Sequence, residues 1–587
     1  MRLRRNSIIP PIFPLNKLIS HILIPISLMT IFSIFIVYPI LVIIAGVFMV
    51  DGKFTLRNLL IITYDPMLSM IIINTLIMGG LVTLITLILA VPYAYILNKY
   101  DIPFKSFFLL ITLLPFISPP YVGGLGYINM LGRHGVISLS LLKLRIIDKP
   151  LDIMYAVTPL FNPMTGARIA EIHWGLILIC ALTYFPLMAL TFSAALQNVD
   201  ESLEEEAYIL GSKPLTTFFK ITLKSAMPGL ISGIILVFIS FVDEIGIPLI
   251  VGYRNVMAVA AYEAIEESSF YYTPKGYVLS LLMTAIGLLI LFLGRKYVSL
   301  SRYVSVVKGA ARYRKIVKVR GIKRVIVMSF MILMSILLSI GAIGIIIAAF
   351  AARWYLTPLP TKIGLKNFEA VLKEYSILFR NSAIYSVTAM IIGMIMSALI
   401  SYIMVRMRLS YSGILDYILT LPLVVPGVVI GIGTWAIWRG TPLDPFVNPI
   451  TIIALVIAFR KLPYAFRGIY ASTLQIPPEF EEAALTLGAS RVRTFFKIML
   501  PALAPALVAG GLLAFIAGIT ELSSTLVLSA TKSAGSLTVG IFLALTDIRH
   551  GPPVGSAIAM IIIITCLVVS YLANLFAKKT IGGLRLF

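Results

Sequence analysis

Apolar runs of about 18 residues or more recur along this chain, each closed by a short polar or basic break. About twelve can be placed, near residues 21–50, 70–98, 106–131, 173–197, 226–251, 277–295, 325–350, 380–405, 414–438, 449–474, 505–530 and 554–577. A hydrocarbon core about 30 Å thick takes about 20 residues of helix, so each run predicts one membrane span. Two intervals break this rhythm in another way. In 474–505 the apolar positions Phe480, Ala483, Ala484 and Leu487, and then Val492, Phe495, Phe496 and Met499, fall at helical spacing with Gly488 between them. This pattern predicts a helix, a glycine turn and a second helix. A near copy occupies 197–228, so one amphipathic hairpin is expected between the fourth and fifth spans of each half of the chain.

Composition agrees with the pattern. Of 587 residues, 59% are hydrophobic and 12% charged, with a mean hydropathy of +1.00, which excludes a soluble globular protein. The expected fold class is all-α integral membrane. The first apolar run is too long for a cleaved signal peptide and reads as a retained helix. Cys180 and Cys566 both fall inside predicted spans, leaving no disulfide framework. The net charge of +23 follows the sides of the membrane: Lys and Arg crowd the loops on the side of the N-terminus. Both termini and both hairpins are therefore expected in the cytoplasm, in a multi-pass protein of the cell membrane. Eleven basic residues lie between Arg295 and Arg324, read as an anchor on anionic membrane lipid rather than a nucleic-acid site.

The chain repeats itself. At an offset of 307, Asn74, Tyr95, Pro115, Pro119, Gly124 and Gly126 coincide with Asn381, Tyr402, Pro422, Pro426, Gly431 and Gly433. Further on the offset becomes 277, matching Glu205, Ala207, Gly211, Phe218, Phe219, Lys220 and Pro228 to Glu482, Ala484, Gly488, Phe495, Phe496, Lys497 and Pro505. The 30 extra residues fall in the outer loop of half one, about 132–172, read as a surface elaboration. Six spans per half is an even number, so the halves enter the membrane in the same sense, related by a pseudo-two-fold axis along its normal, with a path between them. Pro119 and Pro426 interrupt the third and ninth spans, and broken helices at membrane depth belong beside protein or water, so both are candidates for the path. The expected units are 1–69 (N-terminal segment with the first span), 70–295 (first transport domain), 296–379 (basic linker, seventh span and outer loop), 380–577 (second transport domain) and 578–587 (tail).

Glu482, Ala483 and Ala484, then Gly488, Ile498, Leu500 and Pro501, resemble the EAA loop of the membrane subunits of bacterial and archaeal type I ABC importers. Half one matches more loosely: Glu205, Ala207, Gly211, Ile221 and Leu223 are present, while Glu206 replaces the first alanine and Lys224 the proline. The resemblance implies the type I importer permease fold. It also implies that 203–213 and 480–490 are coupling helices seated in two copies of an ATP-binding subunit, with an extracytoplasmic binding protein supplying cargo. No G-x-x-x-x-G-K-[ST] motif occurs in the chain, so ATP hydrolysis is expected on a partner and this chain is not itself an enzyme.

Asp243, Glu244 and Glu521 are acids inside predicted spans, with Glu244 and Glu521 matched at the offset of 277. An ionisable group there is a functional candidate by default. They are candidates for the path, against the alternative that they pair with a neighbouring Arg or reach the outer interface, toward which their distance along the span would carry them. Arg460 and Lys461, opposite Thr183 in half one, either snorkel toward the cytoplasmic vestibule or pair with an acid, in preference to binding an anion. The histidines are scattered at 21, 134, 173 and 550, and no metal site or cofactor is assigned. The segments 242–252 and 519–529 resemble fused ferric-iron-type permeases, which implies ferric iron as cargo. Thiamine or another small solute is the alternative, and an ion-coupled secondary transporter a more distant one that would leave the paired hairpins without a purpose.

Overall fold

The structure is a computed structural model that describes residues 24–50, 52–197, 199–268, 273–302, 317–406, 412–529 and 531–578. The N-terminal residues up to His21 and beyond, the middle of the basic connector and all but the start of the tail lie outside the described residues.

The first span is a bent pair, α1 (Ile24–Phe35) and α2 (Val37–Phe48). The second is α3 (Pro66–Lys99), opened by Pro66 at its first position and capped by Asp65, whose carboxylate accepts the N–H groups of Met67 and Leu68. At 1.5 Å per residue its 34 residues run about 50 Å, longer than a hydrocarbon core about 30 Å thick. The third span is α4 (Lys105–Ile117) and α5 (Pro120–Leu131), meeting at 106°. The outer loop follows, with a two-stranded antiparallel hairpin, β1 (Val157–Phe161) and β2 (Arg168–His173). Then come α6 (Trp174–Leu196), the short α7 (Glu201–Ile209), α8 (Met227–Asp243), α9 (Gly246–Val251) and α10 (Pro274–Arg302).

Half two repeats the order: α11 (Ile322–Ala349), α12 (Ser376–Arg406), α13 (Ser412–Thr420) and α14 (Gly427–Trp438), α15 (Pro449–Gln475), α16 (Glu479–Thr486), α17 (Leu500–Ile519), α18 (Ser523–Leu528) and α19 (Gly551–Ala577). Among the described residues eight helices are long and apolar enough to cross a membrane, and four bent pairs bring the spans to twelve. The fold is all-α in its spans, arranged as two six-span halves.

The runs 226–251 and 505–530 do not form unbroken spans. The helices stop at Asp243 and Ile519, and short helices resume at Gly246 and Ser523, leaving the backbone open at Glu244 and Glu521. Hydropathy is blind to these breaks because Ile245–Gly246 and Leu522 continue the apolar run. The outer loop is also more than an ornament. The Glu171 N–H donates to Asn74 Oδ1 at 2.7 Å, its carboxylate takes the side chains of Arg168 and Asn255, and His173 Nδ1 caps α6 by accepting the N–H of Leu176.

The halves interlock through exchanged first spans. α2 lies on α14 of half two, and α11, the first span of half two, lies on α5 of half one. Gly433 and Gly126 permit this approach. A Cβ on Gly433 would stand 2.5 Å from the Pro39 carbonyl oxygen, and one on Gly126 1.8 Å from that of Gly341. One continuous apolar core, including Phe32, Phe185, Trp435 and Phe466, runs through both halves.

Candidate functional site: two docking hairpins and a charge cluster between the halves

The hairpins are built alike. Asp200 caps α7, accepting the Ser202 N–H at 3.0 Å, and α16 opens behind Pro477 and Pro478 with Glu479, Glu481 and Glu482 in its first turn. Each helix ends on a left-handed glycine: Gly211 at φ 81° and Gly488 at φ 85°. In both, the next residue's N–H turns back to the helix, Ser212 to the Ala207 carbonyl and Ala489 to the Ala484 carbonyl. Ala207 and Ala484 face inward and are buried, whereas Glu205, Glu482 and Ala483 face outward. The next turns, Phe218–Thr222 and Phe495–Met499, are both π-helical.

Acids just before the predicted ones anchor these hairpins. Glu204 pairs with Lys99 at the end of α3 and accepts Thr222 Oγ1 at 2.5 Å. At the repeat positions, Glu481 pairs with Arg406 at the end of α12 and accepts Tyr402 Oη at 3.1 Å. Sequence reading missed both pairs, although a search for opposite charges recurring at the two repeat offsets would have found them. Among the charged side chains left outside, such as Glu205 and Glu482, stand large apolar ones: Leu203, Tyr208, Leu210, Leu215 and Phe219 are exposed in half one, and so are Phe480, Leu485, Leu487, Val492 and Phe496 at the matched positions of half two.

The second assembly forms where the fifth and eleventh spans break. Glu244 Oε1 accepts the N–H groups of Gly246 and Ile247 at 2.8 and 2.9 Å, and Oε2 accepts Tyr184 Oη at 2.6 Å. Glu521 Oε1 accepts the Ser524 N–H at 3.0 Å and Oγ at 2.7 Å, while Oε2 pairs with both Arg460 and Lys461. Arg460 also donates from Nη2 to Asp243 Oδ2 at 2.8 Å, and the other oxygen of Asp243 accepts the Gly427 N–H at 2.8 Å. One guanidinium thus joins an acid of each half. Arg460 is buried and its Nε has no hydrogen-bond partner.

Arg460 lies near the middle of α15, and Glu521 and Asp243, which it joins, stand level with that point of the helix. Of the two readings of Arg460 and Lys461, pairing with an acid is the one realised. Pro119 and Pro426 occupy the breaks that start α5 and α14. Neither lines the cavity of about 220 Å³ beside the cluster, though Pro120 does, together with Tyr121, Tyr464 and the charged groups. The backbone freed by Pro426 is what supplies the Gly427 N–H to Asp243; in half one the equivalent residue, Pro120, has none to give. Among the described residues no three His, Cys, Asp or Glu side chains are placed to hold a metal ion together.

Comparison with known proteins agrees with this architecture. The family profile described as "Binding-protein-dependent transport system inner membrane component" matches residues 25–301 and 389–582. The chain is 25% identical to the ferric transport system permease protein FbpB of Actinobacillus pleuropneumoniae, over 95% of this chain and 78% of that one. It is 24% identical to the Fe(3+)-transport system permease protein FbpB 2 of Haemophilus influenzae, over 85% and 88%. The sulfate transport system permease protein CysT of Escherichia coli is 28% identical over 36% of this chain and 80% of its own, a match to one half. With two matches that together take in most of its length, the chain belongs to the binding-protein-dependent transport system inner membrane component family.

Proposed function

We propose that this chain is the permease subunit of an ATP-driven importer. It carries both halves of the path in one polypeptide and takes its motion from two copies of a separate ATP-binding subunit. The observation that carries this reading is the pair of matched hairpins, each anchored from within by a buried acid and presenting five large apolar side chains at matched positions. Side chains of this kind on a rigid, capped helix suit insertion into a groove of a partner. The hairpin end then faces the cytoplasm, with both termini on that side, and an extracytoplasmic binding protein delivers cargo to the opposite end. Catalysis of ATP hydrolysis belongs to the partner. The path runs between the halves past Asp243, Glu244 and Glu521, and its cargo is ferric iron, in keeping with the names of the relatives that align along both halves.

Glu482 is exposed. Glu482→Arg is therefore expected to leave the chain inserted and folded, while abolishing both cargo uptake and the stimulation of ATP hydrolysis by the permease in proteoliposomes. Gly488→Pro, which cannot adopt φ 85°, should do the same by unseating the turn. Uptake at the normal rate by folded Glu482→Arg, or uptake by the chain alone without an ATPase, would refute the reading. Double replacement of Glu244 and Glu521 by Gln tests the path: ATP-driven uptake of ferric iron should fall, and unchanged uptake would remove the acids from it.

A further inference from the structure

The three carboxylates of the central cluster are held by groups that do not depend on Arg460 or Lys461. Glu244 rests on two backbone N–H groups and a phenol, Glu521 on the Ser524 N–H and hydroxyl, and Asp243 on the Gly427 N–H. Most of these supports are backbone N–H groups where the helices break, and none belongs to either cation. The cations are also dispensable to the architecture of a half. At the matched positions half one has Thr183 and Tyr184, on a helix of the same kind with Pro186 where α15 has Pro463. Half two nevertheless makes room for them: a Cβ on Gly427 would come 2.8 Å from the guanidinium carbon of Arg460.

From this geometry we infer that Arg460 and Lys461 are a tethered cation plug. They occupy an acidic passage between the halves while the path is shut, and a cationic cargo takes their place on Asp243, Glu244 and Glu521 when the halves part. The inference rests on the path reading given above. Its physical logic is charge replacement. Carboxylates left at membrane depth without a counter-charge are costly, so the acids hold either the resident cations or a passing one. Because Arg460 ties Asp243 of one half to Glu521 of the other, parting the halves breaks one of its two pairs and exposes the acids to cargo at the same moment. The polar uncharged groups on the cavity wall, among them Tyr121, Tyr464 and Ser523, all present hydroxyl oxygens, beside apolar Pro120, Ile245 and Leu522; such oxygens suit a hard multivalent cation better than a soft one.

The test uses the complete transporter, with its ATPase subunits, in liposomes loaded with dipicolinate. External Tb³⁺ is added without ATP, and entry is read by terbium luminescence. Wild type should be sealed. Arg460→Gln combined with Lys461→Gln should admit Tb³⁺ about tenfold faster, a leak that Asp243→Asn and Glu521→Gln on the same background remove, while a trapped fluorescent anion stays inside. Arg460→Lys, which retains a cation, should remain nearly sealed. If the double variant does not assemble, Lys461→Gln, on the less enclosed of the two side chains, should leak about threefold faster than wild type. No rise in Tb³⁺ entry in any assembled variant overturns the plug, as does release of the anion at an equal rate, which marks mere loosening of the packing. The path reading fails separately, if Glu244→Gln with Glu521→Gln leaves ATP-driven uptake normal. Impaired uptake in that variant with no leak in the plug variants sinks the plug alone.

Discussion

The seating of each hairpin against the end of a long helix is held by one buried acid. Glu204 and Glu481 are nearly shielded from solvent, while their partners Lys99 and Arg406 keep 14% and 15% of their side chains exposed. Pairs at such a boundary contribute less than a fully enclosed pair and more than a surface one, on the order of 1–3 kcal/mol. Replacing Glu481 by Gln should loosen α16 from the end of α12 without unfolding the bundle. The number of cargo ions moved per ATP hydrolysed should fall, since a loss of about 1.4 kcal/mol lowers the equilibrium constant for seating the hairpin about tenfold. Arg406→Glu joined with Glu481→Arg should recover part of it. The ratio of uptake to phosphate release in proteoliposomes reads this directly, and a variant that merely unfolded would lower both together. The EAA pattern drew attention to the next residues along, Glu205 and Glu482, because a motif marks the face a partner reads. The internal anchor is legible only as a long-range pair, Lys99 with Glu204, and only once the repeat shows that Arg406 and Glu481 recur in the same places.

At the level of helices, hydropathy located all twelve spans but not their interruptions. Proline exposed the breaks in the third and ninth spans, since Pro119 and Pro426 carry no N–H to continue the ladder. The breaks at Glu244 and Glu521 both continue in apolar residues, so the linear pattern runs through them; Pro248, without the N–H that would meet the Glu244 carbonyl, marks the first, and at the second, which has no proline, the acid itself was the only signal. Gly427, the first residue of α14, shows how tightly one break fits the next element. Gly427→Ala places a methyl 2.8 Å from the Arg460 guanidinium carbon, and a charge held between Asp243 and Glu521 cannot retreat without losing a partner. Overpacking of this kind costs about 1–3 kcal/mol. Gly427→Ala should therefore lower the melting temperature and uptake together. Gly413→Ala, on the first limb of the same broken span with open space around it, should change neither.

For the whole molecule, the exchange of first spans matters more than the repeat. A duplicated sequence invites the picture of two separable bundles joined by a basic linker, and periodicity alone cannot correct it, because the pattern records which positions are apolar and not which half they meet. The close approach of α2 to Gly433 and of α11 to Gly126 places each half's opening span on the other half's broken one. Small-residue contacts of this sort let backbones pack closely where lipid offers no hydrophobic drive toward association. Neither half can then complete its own packing. Cutting the chain between α10 and α11 and producing both pieces together should give a complex that copurifies through a tag on either one and restores uptake. Either piece produced alone should be degraded or aggregate. Gly126→Ile or Gly433→Ile should abolish copurification of the pieces, since backbone carbonyls at 1.8 and 2.5 Å from a Cβ leave no flexible atom to move aside. If a single half instead proved stable and monodisperse in detergent, the exchanged spans would be a contact of convenience. Motion imposed on one hairpin would then have no obligatory route to the acid on the other side of Arg460.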